Sequence, residues 1–311
     1  MIVTRSRRGF TLAELLISLT IALVILTSAT AFSVNSWRTR RSWTAREGID
    51  RGARFVGLSL ARDLQEAGIA LESTPTFASL DTRGDTITAL SVPFEPTEAP
   101  VYAIYDDGDP LPNYPPGGNC GAACIEFLIP NGQTLRLATG DIAQLRVSSV
   151  RRVLLLSTVS NQGNGRFRVG FLDVPTLLGH ESGLDSLLLS RSGTTIQKLI
   201  SVRYWRDAYT NRLFRATAFT SSGAPVRELV AANVESFDAR LLFINNAEAA
   251  TYNGSDADTL NDGNDVVGAR VRALMRSDHS DPAVNGGQPI LRWYEWKVAP
   301  RNLLYEKNRS N

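Results

Sequence analysis

Between Phe10 and Phe32 the chain carries one ionisable side chain, Glu14, in a run that is otherwise apolar or hydroxylic. Twenty-three residues at about 1.5 Å rise each give about 35 Å of helix, against a hydrocarbon core about 30 Å thick. The run therefore predicts a membrane-spanning helix. A secretory leader has a shorter apolar region, roughly 7–15 residues, closed by a small-residue cleavage site. A carboxylate at membrane depth costs on the order of 3 kcal/mol, so Glu14 needs a partner. Arg5, Arg7 and Arg8 precede the span, while Arg38, Arg40 and Arg41 follow it with Trp37 and Trp43. Flanking charge alone leaves the orientation open. The large C-terminal body with its cysteine pair favours export of that body.

The segment Arg7-Arg8-Gly9-Phe10-Thr11-Leu12-Ala13-Glu14, followed by the apolar run, resembles the class III leader of type IV pilins and pseudopilins. The resemblance implies that a prepilin peptidase cuts after Gly9 and methylates the new terminus on Phe10. It makes Glu14 the fifth mature residue, an assembly contact to the N-terminal amine of a neighbouring subunit. Implied partners are the peptidase, major and minor pilins and an inner-membrane assembly platform. The implied location is a single pass in the inner membrane with the head outside the cytoplasm, then a pilus or pseudopilus. Further along, Ala61-Arg62-Asp63-Leu64-Gln65-Glu66-Ala67-Gly68 is similar to the helix end of PilW-like minor pilins. That similarity favours a non-enzymatic minor pilin that primes or caps a type IV pilus. A J-type pseudopilin of type II secretion is the runner-up, and a competence pilin with a DNA-binding head is a third reading.

Beyond Trp37 the pattern becomes amphipathic. Ala45, Ile49, Ala53, Val56, Leu60, Leu64 and Ala67 recur three or four apart, which marks one face of an α-helix. Gly68 stands where a helix-ending glycine belongs. One helix over about 10–67 is predicted, with Gly48, Gly52 and Gly57 inside it as sites of bending or close packing. The organisation expected is a leader over 1–9, a membrane or filament-core helix over 10–36, an amphipathic continuation over 37–68 and a β-rich head over 69–311.

The head reads as strands and turns, giving an α+β fold. Strand candidates are 86–92, 125–129, 153–159 and 167–172, with Asn161-Gln162-Gly163-Asn164-Gly165 as a turn. Residues 196–205 and 213–220 flank a hairpin. The 227–240 segment resembles a short helical or turning element of PilW-like and J-type proteins that leads into a strand. Residues 266–276 resemble a late strand of the PilW pattern.

Candidate chemistry is sparse. Cys120 and Cys124, the two cysteines, fit a small disulfide, a metal pair or two free thiols. The short supply of further ligands favours the disulfide, since a zinc site needs about four. The acidic segment around Asp256, Asp258 and Asp262 has oxygen donors of the kind calcium takes, without the spacing of an EF-hand loop. A solvated acidic loop is the plainer reading, and no cofactor is expected. Asp106, Asp107 and Asp109 suit turn chemistry. His180 and His279 are the two histidines, and no nucleophile–base pattern accompanies them. A net charge of +2 gives no electrostatic basis for a nucleic-acid-binding body. The aromatic–basic runs Arg203-Tyr204-Trp205-Arg206 and Arg292 to Lys297 are more simply strands than base-stacking platforms.

Overall fold

In the computed structural model, the described residues are 11–93, 99–103, 124–129, 134–147, 150–172, 195–253, 261–278 and 285–303. One helix, α1, runs unbroken over Leu12–Gln65. It ends where Gly68 adopts φ +80, a left-handed conformation that glycine adopts without a Cβ penalty. The predicted face is the buried one: Ile49, Ala53, Val56, Leu60, Leu64 and Ala67 are all buried.

Fourteen strands follow among the described residues. The first nine are β1 (Leu80–Arg83), β2 (Thr86–Ser91), β3 (Tyr102–Ala103), β4 (Cys124–Leu128), β5 (Ile142–Val147), β6 (Val150–Gly163), β7 (Arg166–Leu172), β8 (Thr195–Asp207) and β9 (Arg212–Ala216). The last five are β10 (Glu228–Ala231), β11 (Val234–Phe243), β12 (Glu248–Ala249), β13 (Val266–Arg276) and β14 (Leu291–Val298). Ten of these form one sheet, ordered β1-β2-β8-β5-β6-β7-β4, with β9 and β10 joined through β8 and β3 also pairing β8. The other four form a second sheet, β12-β11-β13-β14. The fold class is the expected α+β, a long N-terminal helix and a β-rich remainder.

Two expectations on the head change in detail. The strand after Val150 continues through Gly163, so the turn predicted over 161–165 is reduced to the positive-φ residues Gly163, Asn164 and Gly165. Residues 228–231 are not helical. They form β10, antiparallel to β9, and the chain turns afterwards at Asn233, where φ is 56.

The chain divides into two compact units: Met1–Arg51 with Ser277–Leu291, and Gly52–Arg276 with Arg292–Asn311. In the first, the 277–291 segment is closed by Ser277 N donating to Ile290 O and Ile290 N donating to Ser277 Oγ, at 2.9 and 3.0 Å. In the second, the last turns of α1 lie against strands of both sheets. Met275 of β13 lies 3.1 Å from the place a Cβ at Gly52 would take. A Cβ at Gly57 would overlap the indole of Trp296 on β14. These glycines serve close packing. An apolar core centred on Ile125, Phe127, Leu145, Leu156, Val169 and Ile196 holds the larger sheet.

Candidate functional site

The first turn of α1 is built by Thr11 and Glu14. Thr11 N and Thr11 Oγ1 both donate to Glu14 Oε2 at 3.0 Å, and Glu14 N donates to Thr11 Oγ1 at 3.3 Å. This is a reciprocal capping box, in which the two side chains satisfy backbone donors that a helix start leaves without partners. Leu15 N closes the first intrahelical bond on Thr11 O at 3.2 Å. The positive end of the helix dipole also favours a carboxylate here. Glu14 therefore has a partner within its own chain. A threonine followed three residues later by glutamate could have been read directly from the sequence as a helix start.

Both Thr11 donors use Oε2. Oε1 has no hydrogen bond among the described residues and can accept a further donor. Gly9 and Phe10, the expected cleavage and methylation positions, lie outside the described residues.

Beyond the cap, the apolar stretch of α1 is long enough to cross a membrane, and none of it is buried inside the protein. Leu12, Leu15, Leu16, Ile17, Leu19, Ile21, Leu23 to Leu26 and Phe32 all face outward. Its hydroxyls are satisfied on the helix itself. Thr20 Oγ1 donates to Ile17 O and Ser28 Oγ to Val24 O, each at 2.8 Å, while Thr27 Oγ1 reaches Leu23 O and Val24 O. Ser18 and Thr30 bond back in the same manner, to Glu14 O and Leu26 O. No hydroxyl of the stretch beyond the cap has to find water, as hydrocarbon requires.

The C-terminal end of α1 is tied down by a buried acid. Asp63 Oδ2 accepts from Tyr204 Oη of β8 and from Arg215 Nε of β9, both at 2.5 Å, and its Oδ1 accepts from Arg62 Nε at 3.0 Å. Arg215 Nη1 continues to Glu228 of β10 at 2.8 Å. Burial acts to raise the Asp63 pKa, but the bonds from Arg215, Tyr204 and Arg62 outweigh it and hold the carboxyl below the usual range. On the opposite side of the helix Phe55 and Leu58 are exposed large apolar residues.

The remaining candidates are distributed as follows. Asp262 is buried, and its Oδ1 accepts from Asn264 N and Asp265 N at 3.1 and 3.3 Å, capping a 3₁₀ turn over Gly263–Asp265. Asp256 and Asp258 lie outside the described residues, as do Asp106, Asp107, Asp109, Cys120, His180 and His279. Cys124 opens β4. Of the aromatic–basic runs, Tyr204 is fully buried, Trp296 packs on α1, and Arg272 lies 5.7 Å over the Trp293 ring. These rings are engaged by the chain's own groups.

Residues 4–30 match the family described as the prokaryotic N-terminal methylation motif. Neither the curated proteins nor the solved structures contain a match to this chain. The motif supports a type IV prepilin- or pseudopilin-type protein, made to be processed by prepilin peptidase and assembled with other pilins in a membrane setting. Proteins with this motif are structural rather than enzymatic, and the apolar helix fits a single-pass membrane anchor.

Proposed function

We propose that the chain is a minor pilin of the PilW type, a subunit that helps initiate or cap a type IV pilus. The observation that carries this reading is the capped carboxylate at the start of a helix whose apolar N-terminal stretch is wholly exposed. Cleavage between Gly9 and Phe10 would place a new amine four residues before Glu14. Glu14 would then serve twice: Oε2 holds Thr11 and fixes the helix start, and Oε1 receives the amine of an adjacent subunit. Side-by-side packing of the exposed helices removes their apolar surface from water or lipid. Phe55 and Leu58 offer a second apolar contact nearer the head. No step of this function is catalytic.

The reading is tested with Glu14→Val. Cleavage and methylation of the variant should proceed, while its abundance in sheared filaments should fall about tenfold or more, because the neighbour's buried amine loses its counter-charge. Unchanged abundance would refute the pairing role. A J-type pseudopilin of type II secretion would use the same N-terminal chemistry. The long head, residues 69–311, favours the pilus. Deletion of the gene should therefore remove surface filaments and spare protein secretion, and the opposite pattern would favour the pseudopilin.

A further inference from the structure

Just past the apolar stretch, α1 carries Trp37, Arg38, Arg40 and Arg41, all exposed, with the Arg41 guanidinium 5.4 Å over the Trp37 ring. At 100° per residue the four side chains fall within an arc of about 160°, on one side of the helix. No aspartate or glutamate occurs between Glu14 and Glu47. If Leu12 to Phe32 fills the hydrocarbon, Trp37 lies about 8 Å beyond it, and the arginine backbones lie about 9–14 Å beyond. Helical side chains lean toward the helix N-terminus, which here is toward the bilayer, so long arginines bring their guanidinium groups back to headgroup depth.

We infer that Trp37, Arg38, Arg40 and Arg41 form a partial collar, on one side of the helix, that binds the phosphate groups of anionic phospholipids at the membrane face on the head side. The depth of these groups, back at headgroup level beside the hydrocarbon edge, points to lipid phosphate as their occupant. Guanidinium groups form paired, charge-assisted hydrogen bonds with phosphate, and tryptophan settles at the same depth. Loss of residues 1–9 would leave this collar as the only basic cluster flanking the span. It would then set the depth of the waiting subunit and hold it until assembly draws it out. The inference rests on the membrane-embedded reading of α1.

The test uses the full chain reconstituted in vesicles of phosphatidylcholine with about 30% phosphatidylglycerol, a fraction that supplies a strong anionic surface. Bromines are placed on the acyl chains of one lipid or of the other, and tryptophan quenching is read per brominated lipid. Brominated phosphatidylglycerol should quench about twofold more strongly than brominated phosphatidylcholine. R38Q/R40Q/R41Q should bring the two to parity, as should high salt. W37F should remove most of the quenching and so locate the signal at the collar. Parity in the unaltered chain, or a preference that survives in the triple variant, would overturn the collar while leaving the membrane reading intact. Absence of quenching by either lipid would overturn the membrane reading itself.

Discussion

Asp63 is buried with two donors that lie far away in sequence, Tyr204 and Arg215. Its removal strands a guanidinium and a phenol in a site with little water. Asp63→Ala should therefore cost about 3–5 kcal/mol, read as a lower urea midpoint of the detergent-solubilised chain. Arg51 pairs with Glu47 at 3.0 Å, but both side chains are mostly exposed, and Arg51→Ala should change stability by about 0.5 kcal/mol or less. Asp81 behaves differently from Asp63. Burial pushes its carboxyl up to about 6, against the pull of Arg83 and Arg203. The folded chain then keeps a proton on Asp81 between about pH 4 and pH 6 that the unfolded chain releases. Its contribution accordingly favours folding at the low end of that window and is lost as pH rises toward 6, on the order of 3 kcal/mol in all. Asp63, with a lowered pKa, contributes above about pH 4 and loses its contribution as pH falls below that. Asp81→Asn should flatten the stability profile between pH 4 and 6 and leave the acid limb below pH 4 in place. A profile unchanged by the substitution would exclude Asp81 as its source.

At the scale of the helix, glycines that look alike in sequence have opposite consequences. Gly48 has open space around it, and Gly57 faces the Trp296 indole. Gly48→Ala should stabilise α1 by about 1 kcal/mol through helix propensity. Gly57→Ala should cost about 1–3 kcal/mol through overpacking, and thermal melts of the two variants should shift in opposite directions. The helix was legible in sequence because its buried side repeats with helical spacing from Ile49 to Ala67. The hairpin of β8 and β9 was legible because turn residues separate two β-rich runs. The signals that went unread were of two kinds. Thr11 and Glu14 form a local motif that can be found by spacing, but the same carboxylate also stands at membrane depth, where its charge is the stronger signal. The pairing of Asp63 with Tyr204 and Arg215 spans 141 and 152 residues, and no local pattern encodes such a contact. β5 was missed because Gln144 and Arg146 interrupt its apolar residues, and β10 because four residues seldom outweigh a neighbouring turn.

The chain as a whole combines two solvation regimes. The N-terminal stretch exposes nearly every large apolar side chain it has, while the head buries aromatic and aliphatic residues in ordinary cores. An isolated water-soluble protein would not leave so long an apolar run uncovered. A bilayer before assembly and neighbouring helices after it account for that surface without further assumptions. All of this depends on where the mature chain begins. The most direct measurement is intact mass with N-terminal fragmentation of the protein purified from cells that contain prepilin peptidase. The account predicts a chain that starts at N-methylated Phe10, and a Gly9→Leu variant that retains residues 1–9. A mature chain beginning at Met1 with the peptidase present, or beginning beyond the apolar run, would contradict it.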